Sequence, residues 1–324
     1  MLTITPISLP TPWAPVGPVH VYLVKQDPIT LIDTGVDTPE SRAALTDGLR
    51  QHGLTLKDIR RVLLTHAHVD HMGLAAWIQE QAGAEVWLHP DEAGKADNPP
   101  WWVEGRDQAL IQAGVPLTTR ETMEHHYRRT RSLALPLHGG WTALAPGQRF
   151  GFDGGDLQAV HLPGHALGHT GFLDNATGSL IGGDHLLQGI TPNPIMEPLL
   201  PGHPAAAPHA PGRALTLGQF LTALEAAAGL PVIQVLPGHG PTISDHRKVA
   251  ESYRTRHERR LEKLRDRLKH PATVFAITRE LYPHVDEINL FLAVSEVLAH
   301  MDLLAARGLV AVAPQAEGWI YRGE

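Results

Sequence analysis

The sequence predicts an α/β layered fold, on three observations. Short apolar runs alternate with helix-patterned stretches between Val19 and Leu88, a similar alternation returns between Val160 and Leu236, and 43% hydrophobic residues over 324 positions suffice for a large core.

Val19 to Val24 and Ile29 to Ile32 are apolar runs parted by Gln26-Asp27-Pro28, a hairpin pattern, and the second stops at Asp33-Thr34-Gly35. Thr38 and Pro39 open a helix that Gly53 closes. Arg61 to Leu64 is a buried strand ending at Thr65-His66-Ala67-His68; a second helix is expected from near Asp70 to Gln81, then a strand from Glu85 to Leu88. From about 95 to 138 paired Pro and Trp residues and two helix patterns, Gly105 to Ala113 and Arg120 to Arg131, mark an insertion. Val160 to Leu162, Phe172 to Leu173 and Leu180 to Ile181 are short strands. Met196 to Gly212 has no periodicity and is expected to lack regular structure. Leu215 to Ala228 reads as a helix and Val232 to Leu236 as a strand. After Pro241 follow a charged helix through Arg254 to Lys269, helices over Thr273 to Leu281 and Glu287 to Arg307, and a ribbon of Leu309 to Val312 with Trp319 to Tyr321. Two domains are expected, 1–250 and 251–324.

Composition narrows the function classes. A net charge of −7 argues against a long cationic surface for nucleic acid. No run approaches the roughly 18 uninterrupted apolar residues of a membrane span, and the first Lys is Lys25, so no membrane contact and a cytoplasmic setting are expected. With no Cys, thiolate nucleophiles and Cys metal sites are excluded, leaving nitrogen and oxygen as the donors for any metal. The 21 His residues outnumber Phe and Tyr together.

Four metal-competent side chains stand within Thr65-His66-Ala67-His68-Val69-Asp70-His71, between a strand and a helix start. In extended chain His66 and His68 point to one side, while the turn into a helix presents Asp70 and His71 together, so each pair can face its own ion. Three further strand ends carry donors beside glycine: Pro163-Gly164-His165, Gly182-Gly183-Asp184 and Pro237-Gly238-His239-Gly240-Pro241. Glycine lets the backbone come close there without a Cβ clash.

His-x-His-x-Asp-His followed by a later His, a Gly-Asp and a Gly-His resembles the metallo-β-lactamase superfamily, over roughly Val19 to Pro241. The resemblance implies a four-layer αββα sandwich with a two-metal cleft along one edge. It implies that His66, His68 and His165 hold one ion, Asp70, His71 and His239 the other, and Asp184 bridges them. Two Zn²⁺ ions are expected, with Mn or Fe as alternatives, because position 68 is His rather than the Glu of the flavodiiron branch. The missing Cys ligand of some true β-lactamases argues against antibiotic hydrolysis as the role. Two dications about 3.5–4 Å apart activate one solvent molecule, with Asp70 and Asp184 as the catalytic carboxylates. Asp33 matches the carboxylate that fixes a ligand imidazole, and His185 is expected to support the ligands from behind.

The insertion carries Trp101, Trp102, His125, His126, Tyr127, Arg128 and Arg129, suited either to covering the cleft or to a charged surface helix with its own small core. The tail is similar to a winged-helix-like unit found on a bacterial group of these hydrolases and on a β-lactamase-like endoribonuclease. From 271 onward it has three Arg and seven acidic residues, which favours packing or homodimerisation over RNA binding. The expected activity is hydrolysis of a small ester, thioester or lactone, in the style of hydroxyacylglutathione hydrolases. Metal-dependent cleavage of single-stranded RNA is the alternative, and a binding module without turnover is the third reading.

Overall fold

The computed structural model describes residues 1–323. The chain begins with β1 (Ile4–Leu9), β2 (Val19–Val24), β3 (Thr30–Ile32), α1 (Pro39–Gln51), β4 (Arg61–Leu63), α2 (Val69–Met72), α3 (Ala75–Ala82) and β5 (Glu85–Leu88). The insertion contributes α4 (Ala93–Asp97), α5 (Pro100–Gln112) and α6 (Leu117–Arg131), and β6 (Thr142–Ala143) follows it. Next come β7 (Arg149–Phe152), β8 (Gly155–His161), β9 (Thr170–Asp174), β10 (Ser179–Gly183), β11 (Ala206–Ala207), β12 (Ala210–Ala214), α7 (Thr216–Gly229) and β13 (Gln234–Pro237). The tail holds α8 (His246–Arg267), α9 (Val274–Leu281), α10 (Glu287–Ala306), β14 (Val310–Ala313) and β15 (Ile320–Gly323).

Two sheets form the centre, ordered β1-β2-β3-β4-β5-β6 and β13-β10-β9-β8-β7. Side chains alternate across each strand, so every strand serves two layers. In β3 and β4, Ile32 and Leu63 face the other sheet while Leu31 and Val62 meet the helices outside. In the second sheet Phe172 and Ile181 point inward, against Tyr22 and Val24, and Leu173 and Leu180 point outward to α7. This gives helix, sheet, sheet, helix, with each buried Leu or Ile contributing about 1.5–3 kcal/mol.

The layering decides where the chemistry lies. β3, β4 and β5 are parallel, so their carboxyl ends share one edge. β8, β10 and β13 all run in one direction, since β9 is antiparallel to β8 and β10 while β13 is parallel to β10. Their carboxyl ends meet the first sheet's edge where Thr170 N–H donates to Thr65 O at 2.8 Å. All the anticipated donors follow these strand ends.

Several expectations need correction. The single helix from Asp70 to Gln81 is two, α2 and α3, because Leu74 N–H leaves the helical ladder to donate to Gly35 O. A Cβ at Gly73 would stand 2.5–2.7 Å from Gly35, Val69 and Leu133 oxygens. The stretch from Met196 to Gly212 is not structureless: β11 and β12 pair, and Arg213 anchors them through a buried ion pair to Asp302 of α10, 2.7 Å away. β1 and β7 were not anticipated; β1 is a half-exposed edge strand with weak apolar patterning. α8 runs unbroken through the expected boundary at 250/251. One apolar cluster joins Ala109 and Met123 of the insertion, Phe220 of α7, Leu261 of α8 and Leu298 of α10 to Tyr321 of β15. Within α10 the stretch Asn289–Ala306 is long and apolar enough to cross a membrane by length and composition, but 67% of it is buried inside the fold, as in a core helix.

Candidate metal centre

The site starts from Asp33, held at the end of β3 with φ of 61°. Its carboxylate accepts from Thr65 N–H at 2.8 Å, Thr65 O–H at 2.8 Å and His71 Nδ1–H at 2.7 Å. Because the Thr65 hydroxyl donates its proton to Asp33, its oxygen accepts from His66 Nδ1–H at 3.0 Å. His165 Nδ1–H donates to Asn193 O and His239 Nδ1–H to Pro18 O, both at 2.9 Å. Four imidazoles therefore carry the proton on Nδ1 and turn Nε2 inward, the arrangement that prepares His for a metal.

The inward atoms converge. One donor atom from each of His66, His68 and His165 lies within 4.8 Å of the others, and the same holds for Asp70, His71 and His239. His66, His71 and Asp184 form an overlapping third group. Asp184 lies between the first two, with carboxylate oxygens 3.4 Å from His71 Nε2, 3.8 Å from His165 Nε2 and 3.7 Å from His239 Nε2. Asp70 Oδ2 is 3.3 Å from His239 Nε2. All seven candidate donors anticipated from the sequence are gathered in one cluster.

The fit to metal rests on unspent donors. His71 Nε2, His165 Nε2 and Asp184 Oδ1 are buried and have no hydrogen-bond partner. Such groups are costly unless something charged meets them. Burial, then neighbouring imidazoles, holds His66 well below its ordinary value, and burial with His165 and Lys95 does the same to His68, so both are neutral. Burial would raise the carboxyls of Asp184 and Asp70, but His71 and His239 hold both below the usual range. Burial would lower His71 and His239, yet the Asp184 carboxylate, helped by the others nearby, raises both. With His66 and His68 neutral, Asp70 and Asp184 anionic, and a metal competing with protons at His71 and His239, the cluster is a nitrogen and oxygen set suited to zinc-like dications.

A fourth His/Asp group is different. His89, Asp91 and His161 also lie close, but the His89 and His161 rings are stacked 6° from parallel at 4.4 Å. Lone pairs lie in the ring planes, so two stacked rings cannot meet on one ion.

Gly238 shows the close backbone approach anticipated from sequence: a Cβ there would lie 2.4 Å from Asp184 Oδ1 and 2.7 Å from His71 Cε1. At Gly164 the crowding comes instead from the backbone of Phe220 in α7, whose Cα would stand 2.3 Å from a Cβ at that position. His185 lies away from the donor cluster, fully buried with its ring edge-on to Phe220 at 5.2 Å and tilted toward His169 at 5.9 Å. Sequence reasoning missed His169, whose Nε2 accepts from Asp184 N–H at 3.1 Å and so fixes the backbone under the Asp184 carboxylate. It also missed Glu92, Lys95 and Glu197. The signal for His169 was its Gly-His pair, repeating Gly164-His165 within one turn.

A sequence profile of the metallo-beta-lactamase superfamily matches residues 14–239, a span that includes every one of these donors. The chain belongs to the metallo-β-lactamase superfamily. Within the superfamily it is 33% identical over 311 residues to the probable metallo-hydrolase YqjP of Bacillus subtilis (strain 168), covering 93% of this chain and 91% of that one. It is 25% identical over 132 residues to the hydroxyacylglutathione hydrolase GloC of Haemophilus influenzae, covering 41% and 52%. The crystal structure of metallo-beta-lactamase family protein TTHA1429 from Thermus thermophilus superposes with a TM-score of 0.82 at 28% identity, over 99% of this chain and 98% of that one. That superposition extends the superfamily likeness through the insertion and the tail. In the insertion Trp102 is buried and Tyr127 O–H donates to Asn98 at 2.7 Å, beneath the Arg106 guanidinium 3.4 Å from its ring. His125, Arg128 and Arg129 are exposed.

Proposed function

We propose that this metallo-hydrolase uses a dinuclear centre to hydrolyse a small ester, thioester or lactone. His66, His68 and His165 would hold one ion, Asp70, His71 and His239 the other, with Asp184 between them and zinc as the resident metal. The single observation that carries the reading is the convergence of four imidazoles, each locked by an oxygen acceptor on Nδ1, upon the Asp184 carboxylate. When bound, two dications lower the pKa of an attacking water toward 7 and polarise the scissile carbonyl.

The rest is the work of the chain. Asp70, anionic and with one oxygen toward His239, orients the attacking water and accepts a hydrogen bond from it. Asp33 and Thr65 keep His71 and His66 in one tautomer throughout. Asn193 links the His165 loop to the tail, since its backbone oxygen accepts from His165 Nδ1–H at 2.9 Å and its side-chain N–H donates to Leu292 O at 2.8 Å. The names borne by the YqjP and GloC relatives support hydrolysis, the second of a thioester. No Cys is available to attack instead.

RNA phosphodiesters are the second reading. It draws on an open groove along α8 where Lys248, Arg256, Arg259, Arg260 and Lys263 stand beside Glu251. The acidic tail opposes it. Zinc-loaded protein should hydrolyse members of a thioester and lactone panel, with activity lost in His68→Ala; cleavage of labelled single-stranded RNA alone would overturn the first reading.

A further inference from the structure

Two loops that carry anticipated metal donors share one acceptor. Ala67, flanked by His66 and His68, donates its N–H to Glu92 Oε2 at 2.8 Å, and Gly168, three residues after His165, donates to Glu92 Oε1 at 2.8 Å. Glu92 is fully buried in the turn after β5. Its charge is answered by Lys95 Nζ, 2.9 Å from Oε1, and Lys95 also meets Glu197 at 2.5 Å. Glu197 in turn accepts from Leu167 N–H at 3.1 Å, so the same triad reaches the His165 loop twice. Lys95 is clamped from its other side by Trp102, 5.5 Å from the ring centroid.

We infer that Glu92 is a positioning residue that sets the spacing between the His66/His68 loop and the His165 loop, and thereby the affinity of the metal site those three residues form. The inference rests on the dinuclear reading above. The reason is mechanical. Ala67 cannot shift without carrying both neighbouring imidazoles, and a single rigid carboxylate bound to both loops fixes how far apart they stand. The other site draws its supports from elsewhere, His71 from Asp33 and His239 from Pro18. A buttress for the fold alone would affect both sites alike, whereas a positioning residue acts on one.

Site-resolved zinc affinity separates these cases. In a His239→Ala background the His66/His68/His165 site is measured alone by competition with a chromophoric chelator; in a His165→Ala background the other site is measured. Glu92→Gln keeps the shape but replaces one acceptor by an amide donor, which opposes a backbone N–H. It is expected to weaken zinc about 10- to 100-fold in the first background and to leave the second unchanged. Gly168→Ala tests the same tie with every charge in place, because its Cβ would meet Glu92 Cγ at 2.8 Å and His89 Cβ at 2.9 Å, and it should shift affinity in the same direction. It also reads out if Glu92→Gln does not fold. Equal losses in both backgrounds, or a lower Tm with zinc affinity unchanged, overturn the inference. If the His239→Ala and His165→Ala parents themselves bind no zinc, the dinuclear reading fails and takes the inference with it.

Discussion

Asp33 Oδ2 accepts from His71 Nδ1–H at 2.7 Å while Asp33 itself occupies the left-handed region, with φ of 61°. A backbone conformation that non-glycine residues rarely adopt is retained here because it aims one carboxylate at three donors. Asp33→Asn should preserve the backbone, since Asn tolerates that φ, but lose the anion that orders His71. We expect about a 10- to 100-fold loss in metal affinity or turnover, with a native circular dichroism spectrum. Asp33→Ala should add a fall in Tm, because Ala is strained in that conformation and supplies no acceptor. Equal behaviour of the two variants would count against this.

Metal removal should destabilise the chain measurably. His71 Nε2, His165 Nε2 and Asp184 Oδ1 are crowded together, buried and without hydrogen-bond partners. Ligand binding to the folded state stabilises by about 2.7 kcal/mol at a hundred times Kd. Chelation is therefore expected to lower Tm and abolish hydrolysis, and added zinc to restore both. A Tm indifferent to chelator would contradict the site.

Two neighbouring glycines should behave oppositely. A Cβ at Gly238 would collide with Asp184 Oδ1, so Gly238→Ala should lose metal while the fold survives. Gly240 has φ of 75° and open space around its Cβ position, so Gly240→Ala should cost about 1–2 kcal/mol of stability and retain metal. Metal analysis with thermal melting distinguishes them.

The Arg213–Asp302 pair supplies a pH-dependent prediction. Burial would raise the Asp302 carboxyl, but Arg213 and His209 hold it below its ordinary range. A lowered folded value means that the stabilisation is present above the unfolded pKa, about 3.9, and is lost as pH falls through the folded value. Asp302→Ala leaves Arg213 buried without its partner and should cost about 3–5 kcal/mol at pH 7 in urea unfolding. The gap from wild type should narrow in acid. A constant gap would exclude this origin.

The candidate donors were legible because the fold writes them locally. His66, His68, Asp70 and His71 fall within six positions, and His165, Asp184 and His239 each follow a short apolar run and a glycine. The supports were not legible, because they are made by distant pairing. Glu92 answers Ala67 and Gly168, 25 and 76 residues away, and Lys95 meets Glu197 across 102. Nothing near Glu92 in the chain marks it as different from a surface glutamate. The break between α2 and α3 was hidden for the same reason: the competing acceptor, Gly35 O, lies far back in the sequence. β11 and β12 owe their order to Arg213 and Asp302, a tertiary contact that no local pattern encodes.

The apolar cluster that runs from Ala109 to Tyr321 has a practical consequence for anyone trimming this chain. Shortening it after α8 would strip the cover from Phe220, Leu261 and Leu264 and turn a greasy flank toward water. Such a fragment should clump and precipitate rather than survive as a minimal enzyme, even though every candidate ligand would still be encoded in it.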